Sequence, residues 1–228
     1  SEENKIKSLE AAYKAMPSIY IADGHHRSAS SALLGKSRRN KNKNYTGEES
    51  FNYYLGIFFP EDELQIFDYN RVVKDIGNYT SNEFIEQIEK SFTIEAISGK
   101  YFSPRKKHEI SMYINYKWYA LTPKSNTYDP NDPVGSLDAA ILTKNILSPI
   151  LGISDLRINK RIGFVPGIKG NAELKKQVDN GRFAVAFGLF PVSMNQLKWI
   201  ADTGNIMPPK STWVEPKMRS GLVIYEFD

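Results

Sequence analysis

The stretch IADGHHRSASSALL, residues 21–34, decides how this chain is interpreted, because a turn within it joins two predicted elements. Residues 18–21, Ser-Ile-Tyr-Ile, are typical of a short strand, and residues 27–34 are typical of a helix. The Asp23-Gly24 pair between them is a turn signal. The sequence therefore predicts a strand–turn–helix unit.

Basic side chains crowd the start of the predicted helix. His25, His26 and Arg27 fall in or near its first turn. The N-terminal end of a helix carries partial positive charge and unpaired N–H groups, so acidic side chains are expected there. Cationic side chains at that end are favourable only when something negative binds, and the pattern therefore indicates an anion site.

The residue types around the turn suit phosphate chemistry. Gly24 lets the backbone approach a ligand closely, and the guanidinium of Arg27 can form paired hydrogen bonds with phosphate. Asp23 and His26 are candidates for an acid or a base near neutral pH. The phosphate-binding candidates are Gly24, His25, Arg27 and Ser28. The alternative interpretation is a basic helix start that hydrogen-bonds a neighbouring loop.

The composition indicates which broad class of protein this is. Of the 228 residues, 41% are hydrophobic and 25% are charged, which is ordinary for a globular chain. No apolar run approaches the roughly 18 residues that a membrane-spanning helix needs. Cysteine is absent, which fits a reducing compartment. We therefore expect one compact unit over residues 1–228 of a cytoplasmic protein.

A basic segment follows the predicted helix. The chain has 30 Lys and Arg against 26 Asp and Glu, and much of this excess lies in residues 36–48. The segment is rich in Asn and Lys and has no aromatic residue before Tyr45. Proteins that bind nucleic acid usually spread basic residues over a face and interleave aromatic ones. We therefore predict a mobile, solvated loop, with a nucleic-acid patch as the weaker alternative.

The remaining sequence alternates between helix and strand patterns. Residues 51–59 and 64–73 are predicted to pair as a hairpin. Capping boxes and a cap followed by proline predict helix starts at Thr80, Asp132-Pro133 and Ser193. Further predicted strands are residues 93–97, 109–115, 117–121, 183–190 and 222–227, and further predicted helices are residues 1–16 and 171–178. Because no strict βαβ rhythm is present, the fold class is α+β, or mixed α/β, with a mixed sheet and flanking helices.

A second unusual region runs from Pro208 to Ser220. Its prolines lower the entropy cost of ordering a polar loop, and a phosphate site needs positive charge from more than one direction. We expect this region to fold towards the Asp23 turn. Its candidate ligand-binding residues are Lys210, Ser211, Thr212, Lys217 and Arg219. The alternative is a rigid connection anchored by Trp213.

Two smaller points complete the candidate site. Arg71, on the second strand of the predicted hairpin, is a further phosphate-binding candidate, and a cation at a sheet edge is the alternative. No transition-metal site is predicted, because adjacent histidine side chains diverge and His108 is the only other histidine. A Mg²⁺ ion brought by a nucleotide needs only one or two carboxylates and is therefore compatible with the sequence.

Several motifs occur in the same order as in one known family. They are ADGHHR at 22–27, Asp132-Pro133 before Leu151-Gly152-Ile153, AFGLFPV at 186–192, and MPPKST at 207–212 continuing through Glu215-Pro216-Lys217 to Ser220-Gly221-Leu222. With these motifs the chain resembles the bacterial and archaeal family known as domain of unknown function 1015, along nearly all of its length. In that family the first motif lies near the middle of a longer protein, so the chain resembles a C-terminal half.

The first motif is also similar to the phosphate-binding unit of the ParB and sulfiredoxin superfamily, which includes free serine kinases. That resemblance implies that Gly24, His25 and Arg27 hold phosphate. It also implies catalytic or metal-binding roles for Asp23 and His26. A catalytic acidic residue of those relatives precedes the motif, in a part expected to lie outside this chain.

These observations predict a protein that binds a nucleotide or a small phosphorylated ligand. The stronger hypothesis is an ATP- or ADP-dependent phosphotransferase acting on a small hydroxyl compound such as free serine. The alternatives are a non-catalytic nucleotide-binding regulatory module and a ParB-like DNA-associated protein. The expected partners are the nucleotide and the N-terminal half of the same protein, with neither nucleic acid nor a membrane among them.

Overall fold

The computed structural model describes residues 2–219 and 221–226. The chain divides into two compact units, where sequence analysis expected one. The first consists of Ser1–Phe59 with Lys217–Asp228, and the second of Pro60–Pro216. Apolar periodicity predicts which side of an element is buried but not which elements share a core, so this division has no local sequence signal.

The second unit contains all the strands found in the described residues. They are β1 Gln65–Phe67, β2 Tyr69–Val73, β3 Phe92–Ile97, β4 Ile110–Ile114, β5 Lys117–Pro123, β6 Ile162–Pro166, β7 Val185–Gly188 and β8 Trp213–Glu215. Six of them form one sheet in the order β3-β5-β4-β7-β2-β6, and β1 pairs with β8 in a separate two-stranded sheet. Each of these pairings is antiparallel. The predicted α+β class is confirmed, but the sheet is antiparallel instead of mixed.

Helices cover both faces of the six-stranded sheet. They are α3 Ser81–Glu89 and α4 Asp138–Leu142, which is followed by a π-helical turn Thr143–Leu147, on one face and α5 Gly170–Asp179 on the other. A further helix, α6 Met194–Asp202, packs through Ile200 in a separate apolar cluster with Leu137 and Val192. Short 3-10 turns occur at Glu61–Glu63 and Gly167–Lys169. Capping boxes at Thr80 and Ser193 begin α3 and α6, as predicted. The helix start predicted at Asp132-Pro133 is wrong, because α4 begins at Asp138 and Asp132 instead accepts from the Val134 and Gly135 amides in a turn.

Alternate residues of the central strands enter two different cores. Val73 of β2 packs in one apolar cluster with Phe84 of α3 and Ile141 of α4. Val72, its neighbour, packs in another cluster with Leu174 of α5. Since successive side chains of a strand point to opposite faces, this sheet is buried on both sides.

The predicted hairpin between residues 51–59 and 64–73 is wrong. Residues 53–59 form no strand, and residues 64–73 form two strands, with Asp68 between them. β1 pairs with β8, whereas β2 pairs with β6 and β7. Apolar and aromatic composition predicts a tendency to form strands, but the pairing partners here lie far along the chain.

The first unit is largely helical. Its elements are α1 Glu2–Lys14, α2 His25–Lys41 and a 3-10 turn Ser50–Asn52. Residues 18–21 are not a strand, so the predicted strand–turn–helix unit is a turn and a helix only. Residues 222–226 of the last predicted strand are also not a strand, and Phe227 lies outside the described residues.

The first part of the basic segment, residues 36–41, is helical where a loop was predicted, whereas residues 42–48 are not helical. α2 continues through Lys36, Arg38, Arg39 and Lys41 before it ends. Lysine and arginine are good helix formers, and near a helix C-terminus their charge interacts favourably with the helix dipole. Clustered charge therefore does not by itself exclude a helix.

The first unit exposes many apolar side chains. α1 buries none of its residues, and Ile6, Leu9 and Leu33 are 55%, 59% and 68% exposed. Over residues 2–219 and 221–226, no helix has the length and apolar character needed to cross a membrane.

Candidate functional site

The turn at Asp23-Gly24 sets the direction of α2. Gly24 is the N-cap residue, with φ of 79°, a left-handed conformation that glycine adopts without steric cost. Its carbonyl accepts a hydrogen bond of 2.9 Å from the Ser28 amide. The glycine is therefore required by the backbone, in addition to any contact with a ligand.

The first turn of α2 carries no negative charge, and the nearest carboxylate is that of Asp23, which precedes Gly24. Glycine offers no capping side chain, and the first turn contains no acidic residue. A Cβ added to Gly24 would lie 3.2 Å from Nη2 and 3.3 Å from Nε of Arg27, so this guanidinium lies against the helix start. His25 and His26 are exposed beside it. This arrangement concentrates N–H donors and positive charge at one exposed end, which favours an anion.

Asp23 is held by two hydrogen bonds. Its Oδ1 accepts from the Gly24 amide at 2.9 Å, and its Oδ2 accepts from Lys217 Nζ at 3.1 Å. Burial opposes ionisation of Asp23, but these bonds and the charges of Lys217 and Arg27 outweigh it and lower its pKa. The ionised carboxylate can accept a proton or bind a cation.

The structure brings together only part of the predicted site. Lys217 lies beside Asp23, and Ser28 is half-buried in α2. Arg219 is exposed in the same unit, and Ser220 lies outside the described residues. The other candidates, Arg71, Lys210, Ser211 and Thr212, belong to the Pro60–Pro216 unit.

Ser211 has a structural role, because it forms a hydrogen bond inside the protein. Its side chain is buried, and its hydroxyl donates to the Pro208 carbonyl at 2.8 Å. In the same loop, Trp213 Nε1 donates to Glu215 Oε1 at 2.6 Å. These contacts order this part of the proline-rich region from inside, while Lys210 is exposed.

Arg71 is buried inside the sheet, which corrects the interpretation as a sheet-edge cation. Its strand β2 lies between β6 and β7, and the residue is 0% exposed. Its Nη1 donates to the Tyr69 carbonyl, and its Cζ lies 4.8 Å from the centre of the Phe164 ring. Among the described residues, no hydrogen-bond acceptor reaches Nε or Nη2.

The contacts of Arg71 do not compensate its charge. Burial lowers the pKa of Arg71 to about 10, so the guanidinium stays protonated at neutral pH. Removing an unpaired ion from water costs several kcal/mol, whereas a desolvated cation–π contact contributes only about 2 kcal/mol. No ion pair of Arg71 occurs within the described part of the chain.

Aromatic rings connect Arg71 with the surface. Phe164 meets Tyr69 edge to face with ring centres 6.2 Å apart, and Tyr69 lies 6.1 Å from Trp213. Lys210 Nζ lies 5.6 Å from the centre of the Tyr69 ring. Tyr69 and Phe164 are partly exposed. A buried and an exposed cation therefore lie along one set of rings.

Sequence analysis missed Tyr69 and Phe164, because the two residues meet through pairing of distant strands. It also missed Asn70, whose buried Oδ1 accepts from the Leu189 amide at 2.8 Å. The available signal was the polar pair Asn70-Arg71 inside an apolar strand, since a buried strand rarely carries two such residues without a reason.

Comparison with known proteins identifies a family. The model of the family described as "Protein of unknown function (DUF1015)" matches residues 1–140. This match confirms the family resemblance, while the motifs at 151–153, 186–192 and 207–222 lie outside the matched residues. No curated protein matches the chain.

Eight chains of solved structures match this chain, including the following three. A free serine kinase variant in complex with AMP is 14% identical with a TM-score of 0.43, and a variant in complex with ADP is 16% identical with a TM-score of 0.47. A conserved hypothetical protein from Pyrococcus furiosus is 17% identical with a TM-score of 0.45. Each match covers 85% of this chain, and the chain spans 66% of the two kinase chains and 68% of the third. Similarity at this level does not transfer an activity.

Proposed function

Because the chain belongs to the DUF1015 family, whose function is unknown, we propose a function from its own geometry: it binds the phosphate group of a nucleotide at the Asp23–Arg27 turn. One observation carries this proposal. The start of α2 has a left-handed glycine, no acidic residue in its first turn, and the Arg27 guanidinium lying against Gly24. Phosphate supplies the negative charge and the acceptors that this helix end lacks.

Each residue of the turn has a distinct part in this proposal. The amides that begin α2 and the Arg27 guanidinium donate to phosphate oxygens, in the charge-assisted bonds that arginine forms well. His25 and Ser28 lie in the same first turn and add further donors. Gly24 keeps the backbone open to the ligand.

A phosphotransferase acting on a small hydroxyl compound such as free serine is the second candidate. Its support is Asp23, which is held ionised beside Lys217 and Arg27. In such a reaction Asp23 or His26 takes the proton of the hydroxyl, and the hydroxyl oxygen bonds to the transferred phosphorus as the nucleotide leaves. Phosphoryl transfer depends mainly on positioning and on neutralising charge, which these residue types supply.

A Mg²⁺ ion would fit this site through one protein ligand. Mg²⁺ is commonly bound by one or two carboxylates together with substrate phosphates, and Asp23 offers one carboxylate at the turn. Lys217 holds that carboxylate now, so the ion would have to replace it. The ion would neutralise phosphate charge.

We also propose a partner for the apolar surface of the first unit. The first unit exposes more apolar surface, on side chains such as Ile6, Leu9 and Leu33, than is usual for helices that face only water. A preceding half of the same protein would cover them. Slower hydrogen exchange of α1 and α2 in a longer protein than in this chain would support this partner, and equal exchange would contradict it.

Two experiments test the candidates. Calorimetric titration with AMP and ADP measures nucleotide binding, and incubation of the protein with serine and either ADP or ATP measures phosphoryl transfer. AMP and ADP are the nucleotides held by the similar kinase structures. Because they are abundant in the cytosol, we propose a cytoplasmic location. Binding without turnover supports the non-catalytic regulatory module, whereas formation of phosphoserine supports the transferase. If ATP analogues bind elsewhere and leave the turn empty, the proposal is wrong. Salt-dependent DNA binding would instead favour the ParB-like alternative.

A further inference from the structure

One edge of the Arg71 guanidinium forms a hydrogen bond within the protein, and the other edge, called the open edge below, has no hydrogen-bond partner among the described residues. Nη1 donates to the Tyr69 carbonyl. Nε and Nη2, which share the opposite edge of the planar group, have no partner among residues 2–219 and 221–226. Those two N–H groups point in parallel, in the spacing that matches two oxygens of a carboxylate or a phosphate.

Burial makes the open edge significant. Arg71 is 0% exposed and lies on β2, between two other strands of the sheet. A surface arginine satisfies its spare donors with water, whereas buried donors need a hydrogen-bond acceptor and a buried charge is usually paired with an opposite charge. The carboxylates of the described residues do not supply one, because no ion pair includes Arg71.

We propose that the Pro60–Pro216 unit contains a second anion site, in which Arg71 holds a carboxylate or phosphate group of a small ligand through Nε and Nη2. Phe164 and Tyr69 form its aromatic wall, and Lys210 adds a second positive charge at the exposed end of that wall. The site goes beyond the proposed phosphate site at Gly24 and does not depend on it.

Two features of the site define the ligand: the open edge of Arg71 and the aromatic wall. Its oxyanion accepts both N–H groups of the open edge. The rest of the ligand lies along the rings of Phe164, which contacts the Arg71 guanidinium, and Tyr69; both rings are partly exposed and so reach the surface. A flat or apolar body carrying one oxyanion fits this arrangement.

Nuclear magnetic resonance of arginine Nε–H groups tests the site directly in the whole chain. We expect the Arg71 Nε–H signal to shift saturably with inorganic phosphate, with acetate, or with both. A response to phosphate alone assigns a phosphate group, and a response to acetate alone assigns a carboxylate. If neither anion shifts the signal, the proposal is overturned.

Substitution separates binding from a structural role. Arg71→Met removes the charge but keeps the length of the side chain, so the protein should lose the rise in Tm that the active anion gives. Arg182→Met is the matched control, because Arg182 lies 5.8 Å from the Phe183 ring but is exposed. The comparison is made in an Arg27→Ala background, which removes the phosphate site proposed at the Asp23–Arg27 turn. There, an anion-dependent rise in Tm that persists when Arg71→Met is added would contradict the proposal.

Two further variants test the paired-donor geometry if Arg71→Met does not fold, and the independence of this site from the one at Arg27. If Arg71→Met does not fold, Arg71→Lys keeps the charge without the paired donors, and anion affinity should fall at least about tenfold. Unchanged affinity in Arg71→Lys would reject the paired-donor geometry. In Arg27→Ala, a persisting Arg71 response shows that the two sites are separate, and its loss would show that they are not.

Discussion

Charge holds the Asp23–Arg27 turn together at the scale of single residues. Lys217 reaches Asp23 from the far end of the sequence, and Arg27 lies against Gly24. One carboxylate is thus surrounded by two cations and a helix start, which leaves the turn with more positive than negative charge. This excess is what an incoming phosphate would neutralise.

The first prediction concerns Arg27. Arg27→Ala should weaken AMP or ADP binding by about 1.5–3 kcal/mol, the range for hydrogen bonds to charged groups. Calorimetry measures this loss. Arg39→Ala is the matched control, because Arg39 is also exposed on α2 but lies in its last turn. Equal nucleotide affinity of the wild type and Arg27→Ala would show that Arg27 does not contact the nucleotide.

The second prediction concerns pH. Because its partners lower the pKa of Asp23 in the folded state, the Asp23–Lys217 pair stabilises the fold above the ordinary aspartate pKa. That contribution should disappear as pH falls through the lowered pKa. It should amount to no more than about 1 kcal/mol, since both side chains are substantially exposed.

The pH dependence of unfolding, compared between wild type and Asp23→Asn, measures this contribution. The two curves should differ at neutral pH and converge in acid. A difference that grows as the pH falls would show that the sign is wrong and that Asp23 is stabilised in its protonated form.

At the scale of elements, α2 contacts the 3-10 turn Ser50–Asn52 through a glycine. Gly35 is the buried residue of this helix, and a Cβ there would lie only 2.8 Å from the Phe51 carbonyl oxygen. Glycine weakens a helix interior, so its presence here is explained by the close approach of another backbone. The approach places the residues after α2 against the helix that begins at the candidate site.

The third prediction follows from that contact. In an open helix position, Gly→Ala stabilises a protein by about 1 kcal/mol. Gly35→Ala should instead destabilise this chain by about 1–3 kcal/mol, because backbone must move to accommodate the methyl group. Chemical denaturation measures the change. Ser37→Ala, at an exposed position of α2, should be neutral or stabilising, and an equal gain from both variants would show that no close contact exists.

At the scale of the whole molecule, the apolar core is distributed unevenly. Among the described residues, the buried hydrophobic side chains lie between Val72 and Val214, within the Pro60–Pro216 unit. The first unit keeps helices with exposed apolar side chains instead. Apolar burial is the main favourable term in folding, so the two units should differ in stability.

The fourth prediction is a difference in hydrogen exchange. Amides of β4 and β7, in the centre of the six-stranded sheet, should exchange only by global unfolding. Amides of α1 and α2 should exchange through local opening at lower free energy. Exchange followed by mass spectrometry distinguishes the two classes, and uniform protection across both units would contradict this account.

The sequence by itself determined the features whose causes lie within a few residues. The capping boxes at Thr80 and Ser193, the turn glycine at Gly24 and the start of α2 at His25 all follow from short-range sterics and hydrogen bonding. The motifs also identified the family. The identities of the candidate residues at the Asp23 turn were read from the same local pattern, and their roles remain predictions.

Only the tertiary structure decided what depends on residues far apart in sequence. It paired β1 with β8, brought Lys217 to Asp23 and buried Arg71 between two strands. Local propensity shows that a segment can form a strand, but pairing and burial depend on which distant segments meet it. For that reason Arg71 looked like an edge cation in the sequence, and only its place inside the sheet reveals an open pair of donors without an anion.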